Sequence, residues 1–175
     1  MKLVRQVANA LLCLGALLWV DTVAAATVRL LPTAAQIPSI PGFTTLALQL
    51  DQPGQLVGFN FGLTFDGTKI SVPSSGVSAG PEVAQAGCLV VANSQRAGRL
   101  CFPVSCLQPL GGTNLTLVNI RFDALQNGLS PVAFSPEGCT PPLSPNCCLL
   151  EQEGSSPPCV TEDAQILVGP LPTAT

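Results

Sequence analysis

The chain has 175 residues, with seven Lys and Arg against ten Asp and Glu, a formal net charge of -3, and neither His nor Tyr. At 47% hydrophobic and 10% charged residues it can fill the core of one ordinary domain but offers no basic patch for phosphates, which excludes nucleic acid as an expected partner. Without histidine, the Ser-His-Asp and Cys-His nucleophile systems and imidazole metal ligation are all excluded.

At the start of the chain, Lys2 and Arg5 precede an apolar run from Ala10 to Val20 that is too short to cross a bilayer. Ala24-Ala25-Ala26 then offers small residues for cleavage. Residues 1–26 therefore read as a secretory signal peptide, with the mature chain starting near Thr27. The mature chain has no second membrane-spanning stretch and is expected outside the cytoplasm: extracellular, at the cell surface or in the periplasm. Residues 27–169 are expected to form one domain, followed by a short flexible tail over 170–175.

Apolar alternation marks strands at Val28 to Leu30, at Leu46, Leu48 and Leu50, at Val57 to Phe65, and at Ile70 to Val72. Further strands follow at Cys88 to Val91, at Leu100, Phe102 and Val104, at Leu115 to Phe122, at Val132 and Phe134, and at Ile166 to Val168, about nine in all. Between Leu115 and Phe122 the apolar parity slips, from Leu115 and Leu117 to Val118, Ile120 and Phe122; a bulge or a change of sheet explains this. Gln52-Pro53-Gly54, Asp66-Gly67, Ser75-Gly76, Ala97-Gly98, Gly111-Gly112 and Asn127-Gly128 are turn signals between the apolar runs. No mature segment shows sustained helical periodicity. The expected fold class is all-β, a β-sandwich or barrel.

The stretch Val57-Gly-Phe-Asn-Phe-Gly-Leu-Thr-Phe65 places its large apolar residues on one face, and Gly58, Asn60, Gly62 and Thr64 on the other. Glycine in a strand marks either a bend or a close approach by another surface. Both readings of Gly58 and Gly62 are open at this point.

The residues 57–72, VGFNFGLTFDGTKISV, resemble the early strand pair of bacterial cohesin domains, in which an alternating apolar strand ends in an aromatic-Asp-Pro turn. Gly98 to Leu100, LTLVNIRFDAL at 115–125 after a Gly-Gly turn, and EDAQILVG at 162–169 follow in the family's order. The resemblance implies a nine-stranded sandwich of jelly-roll or immunoglobulin-like type and a non-catalytic module that binds a protein partner, a calcium-loaded dockerin, in the assembly of polysaccharide-degrading enzymes. It places Asn60 and Thr64 in the partner contact, with the tip formed by Asn93, Ser94, Gln95 and Arg96 beside them. The chain departs from the pattern where Gly67 replaces the turn proline and where cysteines crowd the segment from Cys139 to Cys159. It carries no dockerin-type calcium loop, so the calcium belongs to the partner and no cofactor is expected here.

Seven cysteines remain after the leader: Cys88, Cys101 and Cys106 in or beside strands, and Cys139, Cys147, Cys148 and Cys159 in a Pro-rich stretch with little apolar material. In an exported chain they are disulfide candidates, and residues 136–161 read as a stapled loop near the C-terminus. Two of the strand cysteines are expected to pair with each other, and the neighbours Cys147 and Cys148 with different partners, for example Cys139 and Cys159. The odd thiol is either free or joins two chains. Zinc is the competing reading, but no C-x2-C pair or His supports it.

Only carboxylates are left for catalysis, and Asp51, Asp66, Glu82, Asp123, Glu137, Glu151, Glu153, Glu162 and Asp163 offer no evident facing pair of the kind a glycosidase needs. The chain does not read as an enzyme. Direct carbohydrate binding stays open as an alternative, as does a structural envelope component. Six of the seven Phe residues lie in the inward register of a strand, and Phe43 alone is left for sugar stacking. Asn114-Leu115-Thr116 is a glycosylation sequon, meaningful in a host that modifies Asn.

Overall fold

The computed structural model describes residues 25–92, 97–135, 148–151 and 159–171, the side chains of 52–53 and 148–151 apart. The described residues form β1 (Ala26–Leu31), β2 (Ala34–Ile37), β3 (Phe43–Phe65), β4 (Ile70–Ser71), β5 (Val77–Ala79), α1 (Pro81–Gln85) and β6 (Leu89–Val90). They continue with β7 (Arg99–Ala124), β8 (Gly128–Phe134), β9 (Cys148–Glu151), β10 (Cys159–Glu162) and β11 (Ala164–Val168). The expected junction near Thr27 falls one residue inside β1, where Ala26 is fully buried and pairs with Cys159.

β3 and β7 are the longest elements, with 23 and 26 residues, and they pair antiparallel from Phe43↔Asp123 to Thr64↔Arg99. Both bend at a common corner, where the register shifts repeatedly between Leu48 and Gly58. On one side of the corner β3 pairs with β1 as well as β7, β1 carries β10 on its outer edge, and β4 and β5 extend β7. On the other side β6 flanks β7, while β8 and β9 pair with the far edge of β3, and β8 leads on to β11 and β2. One curled sheet thus folds into two facing layers, a β-sandwich. Two pairs are parallel, β1 with β10 and β11 with β2.

Gln52-Pro53-Gly54 and Gly111-Gly112, turns by sequence, lie inside β3 and β7. They bend the strands without reversing them, because each strand keeps the other as its partner across the corner. The parity slip in β7 is a bulge: Leu48 pairs with Val118 and Gln49 with Thr116, so Leu117 is extra, and Leu117 and Val118 are both fully buried. A second departure from the alternation is at the start of the 57–65 stretch, where Leu56 is fully buried and Val57 only half-buried after the 56/58 register shift. The third is α1, a short helix with Pro81 at its N-terminus, where a missing N–H costs nothing, and Val83 buried beneath it.

Between the layers lie Phe61, Phe102, Phe122, Leu46, Leu48, Leu63 and Ile120, each at most 2% exposed. Phe61 contacts Phe59, Phe102 and Phe134 at ring-centroid distances of 5.6, 6.1 and 5.9 Å, and Phe65 meets Phe122 edge-on at 5.5 Å, joining one layer to the other. Gly58 lies beside the neighbouring strand: a Cβ there would stand 2.9 Å from the Val104 carbonyl oxygen. The glycine therefore accommodates a close backbone approach within the sheet at the corner.

The Asp66-Gly67 turn is fixed by its own side chains. Asp66 Oδ1 accepts from the Thr68 amide at 3.0 Å and the Thr68 hydroxyl at 2.6 Å, and Oδ2 pairs with Lys69. The Asp66 amide donates to Ser130 Oγ at 2.9 Å, and Ser130 is the one buried polar residue among those described. The substitution of Gly67 for the turn proline has a local cause, since a Cβ at this position would come within 2.5 Å of the Gly98 backbone nitrogen.

Phe61→Ala removes the ring at the centre of the aromatic cluster and is expected to cost about 3–5 kcal/mol in urea unfolding. Gly58→Ala forces a backbone shift against Val104 and is expected to cost about 1–3 kcal/mol in the same assay. Asp66 has its pKa lowered from 3.8 to about 2, by Lys69 first and then by the Thr68 hydroxyl and amide. A carboxylate depressed on folding stabilises the fold above its unfolded pKa and loses that contribution as pH falls through the folded value. The stability gap between wild type and Asp66→Asn is therefore expected to hold above about pH 4 and to close between about pH 4 and pH 2, read from unfolding curves across that range.

Candidate partner-binding face

Alternation along β3 sends Phe59, Phe61 and Leu63 into the core, and Asn60 and Thr64 to the outer face of the second layer. Cross-strand pairing puts Pro103 opposite Asn60 and Arg99 opposite Thr64, with Ala133 on the far side of Thr64, all on that same face. Asn60 and Thr64 are half-buried. The Thr64 hydroxyl donates to the Ala133 carbonyl at 3.5 Å. Asn60 Oδ1 lies 3.6 Å from Cys101 Sγ. Cys101 is disulfide-bonded, so its sulfur carries no proton and this contact is packing. The outer face is thus more occupied than the alternation alone implies. Asn93, Ser94, Gln95 and Arg96 lie outside the described residues.

Cys88 and Cys106 form a disulfide, the expected pairing of two strand cysteines, and Cys101 and Cys159 are disulfide-bonded as well. The pairings expected for Cys139, Cys147 and Cys148 lie outside the described residues and side chains. Among the described residues no group of three or more Cys, Asp or Glu could hold a metal ion.

The Cys88–Cys106 bridge organises a surface that the sequence reading missed. Leu89 pairs with Ser105 and the Gln108 amide donates to the Ala86 carbonyl, so the two strands run together around the bridge. Both cysteines pack against the core, and alternation turns the residue beyond each of them outward. Leu107 is 88% exposed, Leu89 68% and Val91 50%. With Pro103, also exposed, they form an apolar strip on the same face as Asn60. Leucines one residue beyond two cysteines of adjacent strands were the available signal, but it becomes readable only once Cys88 is known to oppose Cys106.

The rival sites are less open. Phe43 is the one exposed aromatic among the described residues, at 57%, but the Arg121 guanidinium lies 4.0 Å above its ring centroid and is held by Asp123 Oδ1, which accepts from Nε at 2.6 Å. One ring face is therefore unavailable for stacking a sugar. Of the acids, Asp66 closes a turn, Asp123 pairs with Arg121, and Asp163 accepts the Phe134 amide at 2.9 Å.

No protein-family model matches the sequence, and a search of curated proteins finds no match. Solved structures do match. A non-cellulosomal cohesin from the hyperthermophilic archaeon Archaeoglobus fulgidus superposes with a TM-score of 0.64 at 11% identity, covering 84% of this chain and 93% of that one. The sixth cohesin of scaffoldin B from Acetivibrio cellulolyticus, solved in complex with a Cel5 dockerin mutant, gives 0.64 at 12% identity over 83% of this chain and 99% of that one. The solution structure of CaCohA2 from Clostridium acetobutylicum gives 0.64 at 10% identity over 83% and 91%. With the order of strands, the shared corner and the aromatic core, these likenesses establish that the chain has a cohesin-like β-sandwich fold.

Proposed function

We propose that this chain is a secreted, non-catalytic binding module that docks a protein partner on the outer face of its second layer. The observation that carries the reading is the apolar strip of Leu89, Val91 and Leu107 beside Asn60 and Thr64. Large side chains this exposed on one sheet face are a usual mark of a protein-binding surface. The bridge between Cys88 and Cys106 holds the strands that present them, so little order has to be gained on docking. Several solved structures with this fold were determined as cohesin–dockerin complexes, among them two from Clostridium thermocellum. A dockerin carrying its own calcium, in the assembly of polysaccharide-degrading machinery, is the partner we infer. The disulfides are in keeping with export behind a leader over residues 1–26, which leaves a domain over 27–169 with a stapled loop at 136–161 and a short tail over 170–175. The covered ring of Phe43 weighs against direct polysaccharide binding.

The test is calorimetry of the purified domain against a panel of calcium-loaded dockerins, with chelator as control and insoluble polysaccharide as a parallel arm. Binding that chelator abolishes is the expected result. Leu107→Asp is expected to weaken it at least tenfold, about 1.4 kcal/mol, with an unchanged thermal midpoint because the side chain is exposed. Absence of dockerin binding together with retention on polysaccharide would overturn the reading in favour of a carbohydrate-binding module.

A further inference from the structure

The sequon Asn114-Leu115-Thr116, the one N-x-Ser/Thr triplet in the chain, occupies an irregular position in β7. Gly112 pairs with Gln52 and Leu115 with Leu50, so Thr113 and Asn114 together oppose the single residue Asp51. This two-against-one arrangement is a bulge. Asn114 is exposed, and its φ of 56° makes it the one non-glycine residue with positive φ among those described. Leu115 beside it is 8% exposed and belongs to the core, while Thr116 is half-buried opposite Gln49. A buried leucine therefore anchors a bent backbone from which the Asn114 side chain emerges at the corner of the sandwich. The transfer of an N-linked glycan needs an accessible asparagine in a bent segment, a middle residue other than proline and a hydroxyl at the third position. All three are present.

We propose that Asn114 is an acceptor site for an N-linked glycan. The donor is an oligosaccharide carried on a polyprenyl diphosphate, which an exported chain meets at the membrane it crosses. Asn114 Nδ2 attacks the anomeric carbon of the first sugar, and the new N–C bond replaces the C–O bond to the diphosphate. The polyprenyl diphosphate leaves with the electron pair of that bond, and the amide proton passes to a base of the transferase. Asn114 opens the part of β7 that belongs to the first layer, whereas Leu89 and Leu107 lie on the second, so the glycan attaches away from the apolar strip.

A structural explanation competes with this, because asparagine tolerates the left-handed region and suits a bulge without any glycan. Asn114→Gly keeps that backbone conformation accessible and removes the amide, while Thr116→Val keeps the side-chain shape and removes the hydroxyl. The experiment is secretion of the full chain from a eukaryotic host, with the host's own leader replacing residues 1–26 in a second version. Wild type is expected to gain one mass increment that an amide-cleaving endoglycosidase removes and that both variants lack, all three sharing one thermal midpoint. Secreted wild type without the increment, or an increment that persists in Asn114→Gly, would overturn the proposal.

Discussion

The structure depends on the pairing of β3 with β7 through a shared corner. Hydrogen bonds between these two strands continue from one layer to the other, so the sandwich is a single ladder folded over its own apolar side. Among the described residues every other strand attaches to one of these two or, through one or two intervening strands, to β3. The register shifts between Leu48 and Gly58 bend the ladder, and the aromatic cluster around Phe61 fills the angle that the bend creates.

The corner explains several unusual residues together. Bending a paired ladder requires extra residues on one strand, and the extra residues need backbone conformations closed to most side chains. Gly112 at φ 125° and Asn114 at φ 56° supply them in β7, and Leu117 forms a further bulge with its side chain in the core. Gly58 gives space to the Val104 carbonyl where β3 leaves the corner. Beyond it the register runs without a shift from Gly58 to Thr64, which keeps Asn60, Thr64 and Pro103 on one face.

The candidate face is shaped by covalent as well as apolar forces. Leu89 and Val91, in water in and beside the two-residue edge strand β6, would be poorly held by its few hydrogen bonds. The disulfide beneath them, packed on the core, supplies the missing constraint. The disulfide-bonded Cys101 sulfur lies against Asn60, which restricts how much of that side chain a partner could reach. Among the described residues the apolar strip is more exposed than Asn60 and Thr64, the polar pair to which the resemblance pointed.

The sequence by itself determined the facing of the core: period-two alternation assigned Phe59, Phe61, Phe102 and Phe122 to the interior and left Phe43 outside, because a strand side chain has only two sides to choose from. It also showed the parity slip in β7, which a bulge or a change of sheet would equally explain, and the pairing with β3 decided for a bulge. It could not show whether Gln52-Pro53-Gly54 and Gly111-Gly112 reverse the chain or bend it, because a turn signal is local and the outcome depends on which strand lies alongside. The tertiary structure decided that, and with it the pairing of Cys88 with Cys106 and the exposure of Leu89 and Leu107. Those facts rest on contacts between segments far apart in the chain, and no residue spacing encodes them.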